Sequence, residues 1–192
     1  MADQQSSLVR RTTRRALAAS GITAAILYGW WQAIESARMV PTLPEAQIGL
    51  PLALGRVALT PLSLQLRSAA PSSSSAQPLL VLSARVENVT GETQFAPFGY
   101  PPRLVTAEAD KLAFDAPEIT LLRDHQPLYQ LQPRMPEVVE IAWQPPEDWQ
   151  TGKLSLTFFQ QQFKLKDNLY GRSNWLGYSA VARLAATPEP TP

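Results

Sequence analysis

Proline limits the fold of this chain more than any other feature: 18 of the 192 residues are proline, against about 5% in an ordinary protein. A proline fixes φ, removes a backbone N–H and clashes with the preceding helical turn, so it breaks helices and settles at turns and strand edges. A mostly helical body is therefore not expected. With 45% hydrophobic residues, the chain can bury a core, and its length suits one domain with a short appendage.

Between the prolines, the apolar residues alternate with period two, the mark of half-buried strands. In LLVLSARVEN, Leu80, Leu82, Ala84 and Val86 share one face. In VVEIAW the face is Val139, Ile141 and Trp143; in KLSLTFF it is Leu154, Leu156 and Phe158, with a phase shift at Gln160–Gln162. In GRVALTPLSLQL the parity flips at Pro61, where a missing N–H favours a bulge. Arg103–Thr106 and Leu112–Phe114 read as arms around AEADK, and Ile119–Leu122 and Leu128–Leu131 as arms around RDHQP. YSAVARLA closes the domain, with Tyr178, Ala180, Ala182 and Leu184 on one parity. Short strands with turn signals between them, and no amphipathic helix, predict an antiparallel two-sheet β-sandwich over residues 55–186. Residues 35–54 are expected as a Pro-rich stalk and 187–192 as a disordered tail.

The N-terminus sets the expected compartment. Residues Ala16–Ile34 form 19 residues without a charge, close to the ~20 that a spanning helix needs. Tyr28, Trp30 and Trp31 gather at one end, where headgroups accommodate amphipathic rings. Arg10, Arg11, Arg14 and Arg15 precede the run. The positive-inside rule then predicts a transmembrane anchor at 16–34, a cytoplasmic basic N-terminus at 1–15, and a domain outside the cytoplasm. A cleaved signal is the competing reading; cuts after Ala33 or Ala37 would place Trp31 or Glu35 at the third position back, where small residues belong. Beyond Ile34 the chain has 13 basic and 15 acidic residues, which leaves no electrostatic footprint for nucleic acid.

No catalytic constellation emerges. There is no cysteine, hence no disulfide, thiol nucleophile or zinc–thiolate site. His125, the lone histidine, sits in the RDHQP turn. Gly171–Trp175 approaches a hydrolase elbow but ends in tryptophan, and a strand follows Ser173 where an elbow requires a helix. Glu108 with Asp110, and Glu147 with Asp148, lack the spaced ligands and glycine of a calcium loop. Asn88-Val89-Thr90 fits a glycosylation acceptor but reads as turn chemistry. No cofactor, metal or catalytic residue is expected. The candidates for partner binding are aromatic residues in or beside loops: Phe95, Phe98, Tyr100, Trp149 and Trp175. Rigid rings give contact area at low entropy cost. DNLYGRSNWLGYS (167–179) is expected to cross one end of the sandwich, with Trp175 and Tyr178 plugging the core.

VLSARVENVTGET, the run from Leu131-Gln132-Pro133 through Pro136-Glu137 to Val139 and Trp143, and Asp167, Leu169, Gly171 and Trp175 before the last strand together give the chain a resemblance. It resembles a loose group of bacterial single-pass membrane-anchored proteins with an immunoglobulin-like extracytoplasmic domain of unknown function. One departure is Arg134, where the group's pattern has glycine. The resemblance implies a periplasmic or extracellular domain on the inner membrane and brings no activity. The functional expectation is a non-catalytic interaction or accessory subunit beside an envelope protein, its bilayer contact made through 16–34. The alternative is a ligand-binding or enzymatic ectodomain with a site assembled from loops.

Overall fold

The computed structural model describes residues 24–36, 42–67, 78–109, 112–147, 149, 152–166, 171 and 173–191. The chain divides into two units, Met1–Thr42 and Leu43–Pro192. In the first, residues 24–36 form an exposed helix, α1. Among the described residues no helix is long and apolar enough to cross a membrane. Residues 16–23 of the expected anchor lie outside the described residues.

The second unit is a β-sandwich. Its strands are β1 (Leu52–Ala53), β2 (Val57–Arg67), β3 (Leu79–Asn88), β4 (Gln94–Phe95), β5 (Val105–Ala109) and β6 (Leu112–Ala113). They continue as β7 (Glu118–Leu121), β8 (Gln130–Leu131), β9 (Glu137–Trp143), β10 (Leu154–Lys164), β11 (Asn174–Ala186) and β12 (Glu189–Thr191). One sheet runs β1-β2-β3-β9-β7, and β12 also pairs with β2; the other runs β11-β10-β5-β6, and β4 and β8 form a small ribbon of their own.

Period-two alternation places the inner faces as the sequence predicts. Leu80, Leu82, Ala84 and Val86 on β3, Val139, Ile141 and Trp143 on β9, and Leu154, Leu156 and Phe158 on β10 are all buried in one core. Hydrophobic burial of these side chains stabilises the two-sheet packing at roughly 1.5–3 kcal/mol per large residue. The β2 ladder slips between Pro61 and Ser63, so the bulge falls where the proline predicts it.

Several boundaries differ from the sequence reading. Ala46 and Leu54, expected in the stalk, are buried core residues, and β1 pairs with β2. The sandwich therefore begins near Leu43, because this segment's backbone finds partners in both sheets. Ala46 N–H donates to Arg183 O at 2.8 Å, and Arg183 N–H to Pro44 O at 2.9 Å. The C-terminal tail is likewise structured: β12 lies parallel to residues 65–67 of β2. The expected 119–131 hairpin forms at its turn, where Leu121 N–H donates to Gln126 O at 2.9 Å and Leu128 N–H to Ile119 O at 3.0 Å; further on, Gln130–Leu131 pairs with β4, and the other edge of β7 pairs with β9. Of the crossing expected at 167–179, Asn174–Ser179 lie in β11, and residues 167–170 and 172 lie outside the described residues. β10 and β11 are neighbours in one antiparallel ribbon, with Lys164 opposite Asn174.

Two local features carry predictions. Arg134 has φ +57°, a left-handed conformation that costs a side chain-bearing residue about 1 kcal/mol relative to glycine. Arg134→Gly is expected to raise stability by up to about 1 kcal/mol in chemical denaturation. The second is Glu140, whose carboxylate takes two bonds from Arg67, at 2.6 and 3.3 Å. These bonds hold Glu140 below its ordinary value, opposed by burial and assisted by the Arg67 charge. A depressed folded pKa adds stability above the unfolded value of about 4.3, and that stability is lost as pH falls through the folded one. Melting curves should therefore show Glu140→Gln less stable than the parent at pH 7, with the gap closing on acidification below pH ~4.

Candidate functional site

The structure separates the five aromatic candidates by position. Phe95, Phe98, Tyr100 and Trp175 stand at the end of the sandwich where β2 and β9 begin. Trp149 stands at the opposite end, its ring edge-on to Phe114 with centroids 5.7 Å apart, and packs against the core. Phe98 is 3% exposed and belongs to the core. Phe95 is 69% exposed and Tyr100 97%. Trp175 is half-buried and tilted against Phe163, with centroids 5.2 Å apart. Tyr178 is exposed at the edge and does not plug the core.

A bulge builds this end. The β10–β11 register slips between Gln160 and Gln162, opposite a bend at Gly177, which has φ +70°. A bulge re-aims the side chain it carries, and here Gln161 turns inward, with 4% exposure. Gln161 Nε2 donates to the Tyr178 hydroxyl at 2.9 Å, and Gln161 Oε1 accepts from Arg56 Nε at 2.7 Å. The same guanidinium donates to Gln94 Oε1 (3.2 Å), Phe95 O (3.3 Å) and Ala96 O (2.7 Å). Gln94 Nε2 donates to Thr90 Oγ1 at 3.0 Å, and Thr90 Oγ1 to Asn88 Oδ1 at 2.7 Å. One polar chain thus runs from Tyr178 to Asn88 and clips the aromatic loop onto both sheets.

Arg56 is the centre of this network, and sequence reasoning missed it. Its only signal was a lone arginine between Gly55 and a strand. Burial lowers the Arg56 pKa, and the Tyr178 oxygen opposes that shift. Among the described residues no carboxylate pairs with Arg56. Backbone carbonyls and side-chain amides take its donors, which makes it a clamp for residues 94–96.

Asn88 is fully buried, and its amide donates to Glu92 O (2.8 Å) and Leu131 O (2.9 Å). A buried, bonded amide nitrogen is not open to glycan transfer in the folded chain, in keeping with the turn reading. His125 has φ +57° at the tip between β7 and Pro127. A cavity of about 250 Å³ lies beside that turn, lined by Leu121, Arg123, Tyr129 and Glu137 among others. A second, open groove of about 540 Å³ is lined by Thr90, Gly91, Glu92, Gln94, Phe163, Ser173 and Trp175. Ser173 leads into β11, not a helix. Among the described residues no group of three or more His, Asp or Glu side chains is placed to hold a metal.

The sheet edges differ in how they are covered. β1 and β12 take the outer edge of β2, and residues 126–128 bond to β7. On β11, Pro44–Ala46 cover only the level of Arg183. From Asn174 to Val181 the outer edge of β11 has no backbone partner among the described residues. This is the half of β11 beside Tyr178 and Trp175.

The fold is similar in outline to an uncharacterized beta-sandwich protein from Clostridium difficile 630, with a TM-score of 0.45 and 14% identity. The match covers 70% of this chain and 93% of that one. No family model and no curated protein matches the chain.

Proposed function

We propose that the chain is a membrane-tethered, extracytoplasmic binding module, a non-catalytic accessory subunit that docks an envelope protein at the β10–β11 end of its sandwich. The observation that carries this reading is the β11 edge from Asn174 to Val181, which has no backbone partner among the described residues, set beside the exposed rings of Phe95 and Tyr100. An open edge offers a row of unpaired N–H and C=O groups, and strand addition there supplies affinity while neighbouring rings supply selectivity. The uncharged run 16–34 behind four arginines supports the tether and its direction. An immunoglobulin-like arrangement also supports the reading. Lettered in chain order, the seven principal strands (β2, β3, β5, β7, β9, β10 and β11) fall as A-B-E-D and G-F-C, the order of constant-type immunoglobulin domains.

The test is crosslinking in intact membranes. Photoreactive residues replacing Tyr100 or Ser179 should give one reproducible adduct with a membrane protein, and replacement of Glu147 at the opposite end should not. Equal labelling from both ends, or none from either, would count against the module.

A further inference from the structure

The tip of the β10–β11 ribbon carries chemistry that partner binding along the β11 edge does not use. Phe163 is 51% exposed and Leu165 is 83% exposed, although both are large and apolar. They alternate with Lys164 and Lys166, both exposed. Trp175 backs Phe163 from the other strand and holds its ring in place. Apolar side chains flanked by lysines match a lipid surface: the rings and aliphatic groups enter the acyl boundary, and the ammonium groups stay at the anionic headgroups.

We propose that the ribbon tip, through Phe163, Leu165, Lys164 and Lys166, docks on the anionic lipid surface beside the anchor. The proposal rests on the tethered reading above. Docking fixes the orientation of the sandwich relative to the membrane and leaves the β11 edge and the Arg56-clipped loop to face a partner.

The test uses the full chain reconstituted in vesicles. Because the chain has no cysteine, Leu165→Cys and, at the far end, Ala113→Cys each give a single site for an environment-sensitive fluorophore. In vesicles containing phosphatidylglycerol, the label at 165 should shift to the blue and be quenched by a lipid-borne quencher, while the label at 113 stays aqueous. Tip occupancy should fall roughly fivefold for each lysine removed, and in pure phosphatidylcholine it should be lost. Lys164→Glu combined with Lys166→Glu should abolish the shift with the β-sheet circular dichroism unchanged. A label at 165 that stays aqueous on membrane-retained protein would overturn docking alone. A blue shift without lipid quenching would mean that protein, a second copy or a partner, covers the tip, and would also overturn it. Release of the chain by alkaline carbonate would overturn the anchor and the docking that depends on it.

Discussion

Gly55→Ala is expected to destabilise the sandwich by about 3–5 kcal/mol, the largest effect of any small substitution outside the core. Gly55 has φ +90°, and a Cβ there would run into the Gln161 carbonyl oxygen and meet the Trp175 ring at 3.1 Å. Two costs combine. The backbone conformation is one that a side chain resists, and the obstacle is main chain, which cannot swing away. Leu54 O already accepts from Gln161 N–H at 3.2 Å, so separating the strands also breaks a bond between the sheets. Thermal melting of Gly55→Ala against Gly91→Ala isolates the effect. Gly91 has nothing within 4 Å of its Cβ position, and its replacement should leave the midpoint nearly unchanged. Gly55→Ala should lower the midpoint by roughly 10 °C. Because Gln161 and Trp175 are the neighbours, the same substitution should disturb the ribbon and the network it carries.

Asn88→Ala is expected to cost about 3 kcal/mol. Both donors and both acceptor positions of this amide are engaged, the latter by Thr90 N–H at 2.9 Å and Thr90 Oγ at 2.7 Å. An alanine would leave Leu131 O and Thr90 N–H without these partners at a buried turn. Thr90→Val, which removes one more exposed link of the same network, should cost about 1 kcal/mol. Urea titrations of the two variants test the ranking. Equal midpoints for Asn88→Ala and the parent would mean that the turn is held by its backbone alone.

The strands were legible because period two repeats wherever one face is buried. Leu80, Leu82, Ala84 and Val86 could be read directly, and the missing N–H of Pro61 marked a real slip. What could not be read was pairing between distant segments. Nothing local in Pro44–Ala46 announces a partner at Arg183, and nothing in Glu189–Thr191 announces β2. The same limit hid the site. Arg56, Gln161 and Tyr178 are far apart in the chain and meet only because a bulge turns Gln161 inward. The loop aromatics were visible as a class, but their burial depends on packing. Phe98 fills the core, whereas Tyr100, two residues on, is almost fully exposed. Asn174–Ser179, expected in a crossing, instead pair with β10, because β10 and β11 share a sheet.

The proposed display of the sandwich outside the cytoplasm is tested most directly by its compartment. Cells would carry the full chain with one epitope tag before Met1 and a different one after Pro192. Protease added to intact spheroplasts should remove the C-terminal tag and spare the N-terminal one, and lysis should expose both. A C-terminal tag that survives until the spheroplasts are lysed would place the sandwich inside and contradict the account.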